Sequence, residues 1–99
     1  MPEFKLSPQR QYIIDRFVKE LPSLRKKAGL KQYELADLVG KSRQKISDVE
    51  RGIASIGWDT FLAILFVLQA YGLEDDIRHD SSLARMLEKE LHPNNTIYK

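Results

Sequence analysis

Five polar side chains able to do recognition chemistry stand within six consecutive positions: Arg43, Gln44, Lys45, Ser47 and Asp48. If this stretch is helical, Ile46 and Val49 turn inward and the polar residues line the opposite face. The chemistry on offer is hydrogen bonding rather than bond making. An Arg fork matches guanine, a Gln amide matches adenine, and a carboxylate accepts from cytosine. The major groove of DNA admits one α-helix, whose N-terminal residues meet the base edges. The helix N-terminus also offers free backbone amides to a phosphate. The simpler alternative is a solvated helix face with no partner.

The charge around this row is uneven. The 99-residue chain has a net charge of only +2. Residues 23–52, however, carry eight basic side chains (Arg25, Lys26, Lys27, Lys31, Lys41, Arg43, Lys45, Arg51) against four acidic ones (Glu34, Asp37, Asp48, Glu50), a local excess of +4. Residues 53–99 are net negative, at −3. A local basic surface is the electrostatic footprint of a nucleic-acid contact.

Other classes find less support. There is no cysteine, so neither a disulfide framework nor a thiolate metal site can form. His79 and His92 are too few and too far apart for metal ligation, and no metal or cofactor is expected. No pair of carboxylates, phosphate-cradling glycine loop or nucleophile–base set stands out, so the chain is not read as an enzyme. No apolar run reaches the roughly 18 residues that a membrane span needs. The opening MPEFKLSPQRQ is polar and lacks the apolar core of a signal peptide. A cytoplasmic protein with no membrane association is expected.

The elements that must position the polar row read as all-α. Ser7-Pro8 looks like an N-cap followed by proline in the first turn. Ile13, Ile14, Phe17, Val18 and Leu21 form one helical stripe after it. Pro22 predicts a break or kink, because it removes a hydrogen bond and clashes one turn back, with a new helix over 22–28 ended by Gly29. A helix over 31–39 ends at Gly40, and Ser42 caps the next, which stops at Gly52. Residues 53–57 read as a loop, and a strongly apolar helix follows over 60–71, ended by Gly72. Residues 73–79 read as a linker or short helical turn. A last helix over 82–91 is stopped by Pro93. Trp58 and Phe61 read as core rather than as base-stacking aromatics.

The stretch 24–52, LRKKAGLKQYELADLVGKSRQKISDVERG, resembles the helix-turn-helix domain of the phage lambda and 434 repressors, the Cro/C1 or XRE family of bacterial regulators. The matching residues are Leu24-Arg25, Gly29-Leu30, Gln32, Glu34-Leu35-Ala36, Gly40, Ser42-Arg43, Ile46-Ser47 and Glu50-Arg51-Gly52. The resemblance runs on to residue 72. It implies a lambda-repressor-like domain of about five helices with added N-terminal and C-terminal helices. The chain then reads as a single domain, with the helix-turn-helix core over 22–72. An N-terminal helical extension covers 1–21, and a C-terminal helix and tail over 73–99 is a candidate for dimerisation.

The resemblance also implies roles. Arg43, Gln44, Ser47 and Asp48 fall at base-reading positions, and Gln32, Lys41, Ser42, Lys45 and Arg51 at backbone-contact positions. Gln32 would touch a phosphate or orient a base-reading side chain. Arg25 and Glu50 match a pair that forms an internal salt bridge beneath the recognition helix. Two departures stand out. Lys31 replaces the usual Thr or Ser, which weakens an N-cap, and Asp48 brings negative charge close to phosphates.

Eight consecutive apolar residues, Phe61 to Leu68, point all round their helix, and such a helix must be covered on every side. Terminal helices, a dimer interface or both would do this. The interface candidates are Leu65, Phe66, Leu83, Met86 and Leu87. The reading is a sequence-specific DNA-binding regulator, in the first place a repressor. It would act as a homodimer on a two-fold-symmetric operator in double-stranded DNA. One alternative is an antitoxin that binds a toxin and represses its own promoter. Another is a protein–protein adaptor on the same fold.

Overall fold

The computed structural model describes residues 7–78, together with Arg85, Glu88 and Lys89. Its elements are α1 (Pro8–Lys27), α2 (Gln32–Val39), α3 (Arg43–Glu50), α4 (Trp58–Leu68), a kinked connection (Gln69–Leu73) and α5 (Glu74–Arg78). Among the described residues there is no strand, and the fold class is all-α.

Helix α1 begins as its sequence dictates. The Ser7 hydroxyl accepts the Arg10 amide at 3.1 Å, and Pro8 occupies the first turn, where its missing N–H costs nothing. It does not break at Pro22. The helix runs through that residue to Lys27, correcting the expected interruption. Ile13, Ile14, Phe17 and Leu21 before the proline and Arg25 after it all bury on the same face. A proline inside a helix costs about 3 kcal/mol, whereas each buried aliphatic or aromatic side chain returns roughly 1.5–3 kcal/mol. Packing therefore overrides the local preference. The boundary expected between residues 21 and 22 falls inside this continuous helix.

Helices α2 and α3 are joined by a tight turn at Gly40. Its φ of +72° lies in the left-handed region, where a side chain would be strained. The Gly40 amide donates to the Asp37 carbonyl at 3.3 Å and the Lys41 amide to the Ala36 carbonyl at 2.9 Å. This paired arrangement closes the C-terminus of α2. Ser42 then caps α3, its hydroxyl accepting the Lys45 amide at 3.0 Å. At the start of α2 only half of the equivalent cap exists. The Glu34 carboxylate accepts the Lys31 amide at 2.7 Å, but the Lys31 ammonium has no lone pair with which to return the bond.

Helix α4 packs on both α1 and α2. The Phe17 and Phe61 rings meet edge to face, with centroids 5.0 Å apart. Trp58 lies against Phe61 at 4.9 Å and carries the Arg10 guanidinium over its ring at 4.6 Å. Phe61 is fully buried and Trp58 partly so, each in core packing. Ile64, Leu65, Val67 and Leu68 are buried as well. The chain thus covers nearly all of this apolar helix itself, leaving Phe66 71% exposed. The backbone stays helical at Gln69 and leaves helical angles at Tyr71 and Gly72, where the chain turns away with φ +92° at the expected stop. The short α5 follows, with Glu74, Asp75 and Asp76 in its first turn, where they complement the helix dipole. Asp76 forms an ion pair with Lys27 at the end of α1. The helix expected over 82–91, with Leu83, Met86 and Leu87, lies outside the described residues apart from Arg85, Glu88 and Lys89.

Candidate nucleic-acid interface

Helix α3 is held from behind by apolar packing and by a buried ion pair. Ile46 and Val49 are completely buried, and α2 supplies Leu35 and Ala36 to the same core. At the far end of α3, the Glu50 carboxylate receives Arg25 from α1 in a two-pronged contact. Arg25 Nε donates to Oε2 at 2.7 Å and Nη2 to Oε1 at 3.1 Å. Arg25 Nη1 donates to the Leu30 carbonyl at 3.0 Å, so all three guanidinium nitrogens are engaged. The Arg25 and Glu50 side chains are only 9% and 6% exposed. Gln32, at the start of α2, donates its Nε2 to Glu50 Oε1 at 3.0 Å. One carboxylate thus joins α1, α2 and α3.

The outer face of α3 is open. Lys41, Ser42, Arg43 and Gln44 are exposed, while Lys45, Ser47 and Asp48 are partly exposed. The Arg43 guanidinium and the Lys41 ammonium make no hydrogen bond or ion pair among the described residues. Lys45 is tied back, its Nζ donating to the Ser55 carbonyl at 2.8 Å. The Ile53 and Ala54 amides donate to the Asp48 carbonyl at 2.8 and 3.2 Å, which pins the loop after α3 to the helix.

Asp48 is the most connected residue on this face. Its Oδ1 accepts Gln44 Nε2 at 2.9 Å and Arg51 Nη2 at 2.8 Å. The Arg51 hydrogen bond, followed by that from Gln44, holds the Asp48 carboxyl below its ordinary pKa range. At neutral pH Asp48 is therefore ionised and acts only as an acceptor. The Arg51 charge lies directly against it and offsets its negative charge.

The site thus gathers Arg43, Gln44, Ser47 and Asp48 on one rigid helix, with Lys41, Ser42, Lys45 and Arg51 around them. Gln32 lies apart, facing the buried ion pair. Leu65 is buried in the chain's own core at 6% exposure, while Phe66 stands outward on the same helix. Two contacts had no local signal in the sequence: Lys45 to the Ser55 carbonyl and Gln32 to Glu50, linking residues 10 and 18 positions apart.

Two short helices joined by a glycine turn, the second presenting polar and basic side chains outward, define a helix-turn-helix DNA-binding domain. A family model described as a helix-turn-helix domain matches residues 16–80, the greater part of the chain. The chain belongs to this helix-turn-helix family, part of the XRE/Cro-C1-like group. Comparisons with curated proteins and with solved structures find no match. No helix of the described residues is long and apolar enough to cross a membrane.

Proposed function

We propose that this protein is a cytoplasmic, sequence-specific transcriptional regulator, in the first place a repressor, acting as a homodimer on a two-fold-symmetric operator. The observation that carries the reading is the outer face of α3. Arg43 is exposed and unpartnered at the first position of the helix, and Gln44 is beside it with its amide held in place. Arg43, Gln44 and Ser47 contact bases. Lys41, Ser42, Lys45 and Arg51 supply phosphate contacts, and Gln32 helps hold α3 at its angle through Glu50.

Two features support a dimer. One domain of this size contacts too little DNA for tight specific binding. Phe66, a large apolar side chain, stands 71% exposed on a helix whose other apolar residues the chain mostly covers. Occupancy of successive major grooves by two α3 helices would block, or in some promoters assist, polymerase. The test is titration of the protein into duplex DNA at several salt concentrations, with the mass of the complex measured. Affinity should fall steeply with salt, as phosphate neutralisation requires, and two chains should occupy each site. Salt-independent binding, or one chain per site, would contradict the reading.

A further inference from the structure

The contact between Gln44 and Asp48 fixes more than the position of Gln44. A Gln amide has two chemically different ends, two N–H donors on nitrogen and an acceptor oxygen. A carboxylate can only accept. Facing Asp48, the amide must therefore present its nitrogen, and the reverse orientation would set oxygen against oxygen. Arg51 on the same Oδ1 keeps that carboxylate ionised and anchors it from the other side. The donor–acceptor polarity of the outward edge of Gln44 is thereby set before any DNA arrives.

We infer that Asp48 is a positioning residue that fixes the Gln44 amide in the orientation able to read adenine. With one N–H committed to Asp48 at 2.9 Å, Gln44 retains one N–H and its carbonyl oxygen. Those are the two groups that adenine pairs with, at N7 and at the N6 amine. Asp48 then acts through Gln44 and touches no base. This rests on the proposed DNA-binding function and deepens it. It also accounts for a carboxylate on a groove-facing helix, because Arg51 offsets its charge and both Arg51 and Gln44 engage its Oδ1. Asn at position 48 would present either a donor or an acceptor to Gln44, so both amide orientations would become accessible.

The test is base preference at each operator position, measured by competition binding with single-substituted duplexes of the site that the wild-type protein selects. Wild type, Asp48→Asn, Gln44→Ala and the double variant are compared, with helicity checked by circular dichroism. At one position in each half-site, wild type should favour adenine by about tenfold, the size of a bidentate base contact. Asp48→Asn should lose most of that preference and leave the other positions unchanged. In the Gln44→Ala background, Asp48→Asn should change nothing further at any position. An Asp48→Asn protein with unaltered preference would overturn the inference. So would a change that persists without Gln44, which would make Asp48 itself a reader of bases. If wild type binds no duplex selectively, the DNA-binding reading fails first and takes this inference with it.

Discussion

The two ends of the account meet on α3, where two carboxylates each hold one arginine and one glutamine. Glu50 takes Arg25 and Gln32, and Asp48 takes Arg51 and Gln44. The chemical parts are the same, and the surroundings differ. The Glu50 cluster is sealed, with Arg25 and Glu50 side chains 9% and 6% exposed, and its members come from three helices. The Asp48 cluster draws its three members from one helix and its C-cap, and the Asp48 and Arg51 side chains are 26% and 57% exposed. Burial turns the first into a structural joint, because none of its charges can find water if a partner leaves. Exposure leaves the second free to exchange its contacts for those of a ligand. The difference teaches that the role of a polar trio in this fold follows from which side of α3 it occupies.

The comparison is most easily broken at its buried half. Glu50→Ala should destabilise the fold by about 3–5 kcal/mol, since it strands the Arg25 charge in the interior. Urea unfolding would measure this. The double variant Arg25→Met/Glu50→Leu should recover most of the loss, because a buried pair replaced by apolar side chains is often neutral. A loss under about 1 kcal/mol for Glu50→Ala would place this pair with exposed salt bridges instead. Next in size is Ser42→Ala, which removes the cap that starts α3. It should cost about 1 kcal/mol, and hydrogen exchange should quicken in the first turn of α3.

The smallest effect concerns pH and sharpens the exposed half. The folded-state pKa of Asp48 is lowered, chiefly by Arg51. Its contribution to stability is therefore complete above the ordinary aspartate value of about 3.9 and fades as pH falls through the lower folded value. The stability difference between wild type and Asp48→Asn should be small and constant from roughly pH 5 to 8, shrinking only below about pH 4. Urea titrations across that range would check it. A difference that stays constant through the acid range as well would mean that Arg51 does not hold the carboxylate.

Much of this architecture was legible wherever the governing rule is local. Ser7-Pro8, Gly29, Gly40 and Ser42 each mark a helix end because caps and turns depend on a few adjacent residues. Pro22 misled for the same reason. Its local cost is real, but the stripe from Ile13 to Arg25 packs across it, and that packing is decided by elements far along the chain. In the site, the facing of Arg43 and Gln44 follows from Ile46 and Val49 turning inward. The contact between Arg25 and Glu50, 25 residues apart, was suggested by family resemblance, since no spacing rule reaches so far. The turning of Gln32 towards Glu50 was not legible at all. The bonds that Asp48 makes to Gln44 and Arg51 sit at helical spacings of four and three. They were half legible, since the same spacing also permits all three to point freely outward.

The central claim is that the outer face of α3 reads DNA. Its most direct test is selection of binding sites by the full-length protein from random duplex DNA, with Arg43→Ala/Gln44→Ala as control. The account predicts a two-fold-symmetric consensus that the double variant no longer selects although it remains folded. No enrichment at low salt, where attraction to phosphate is strongest, or the same consensus from the double variant, would contradict it.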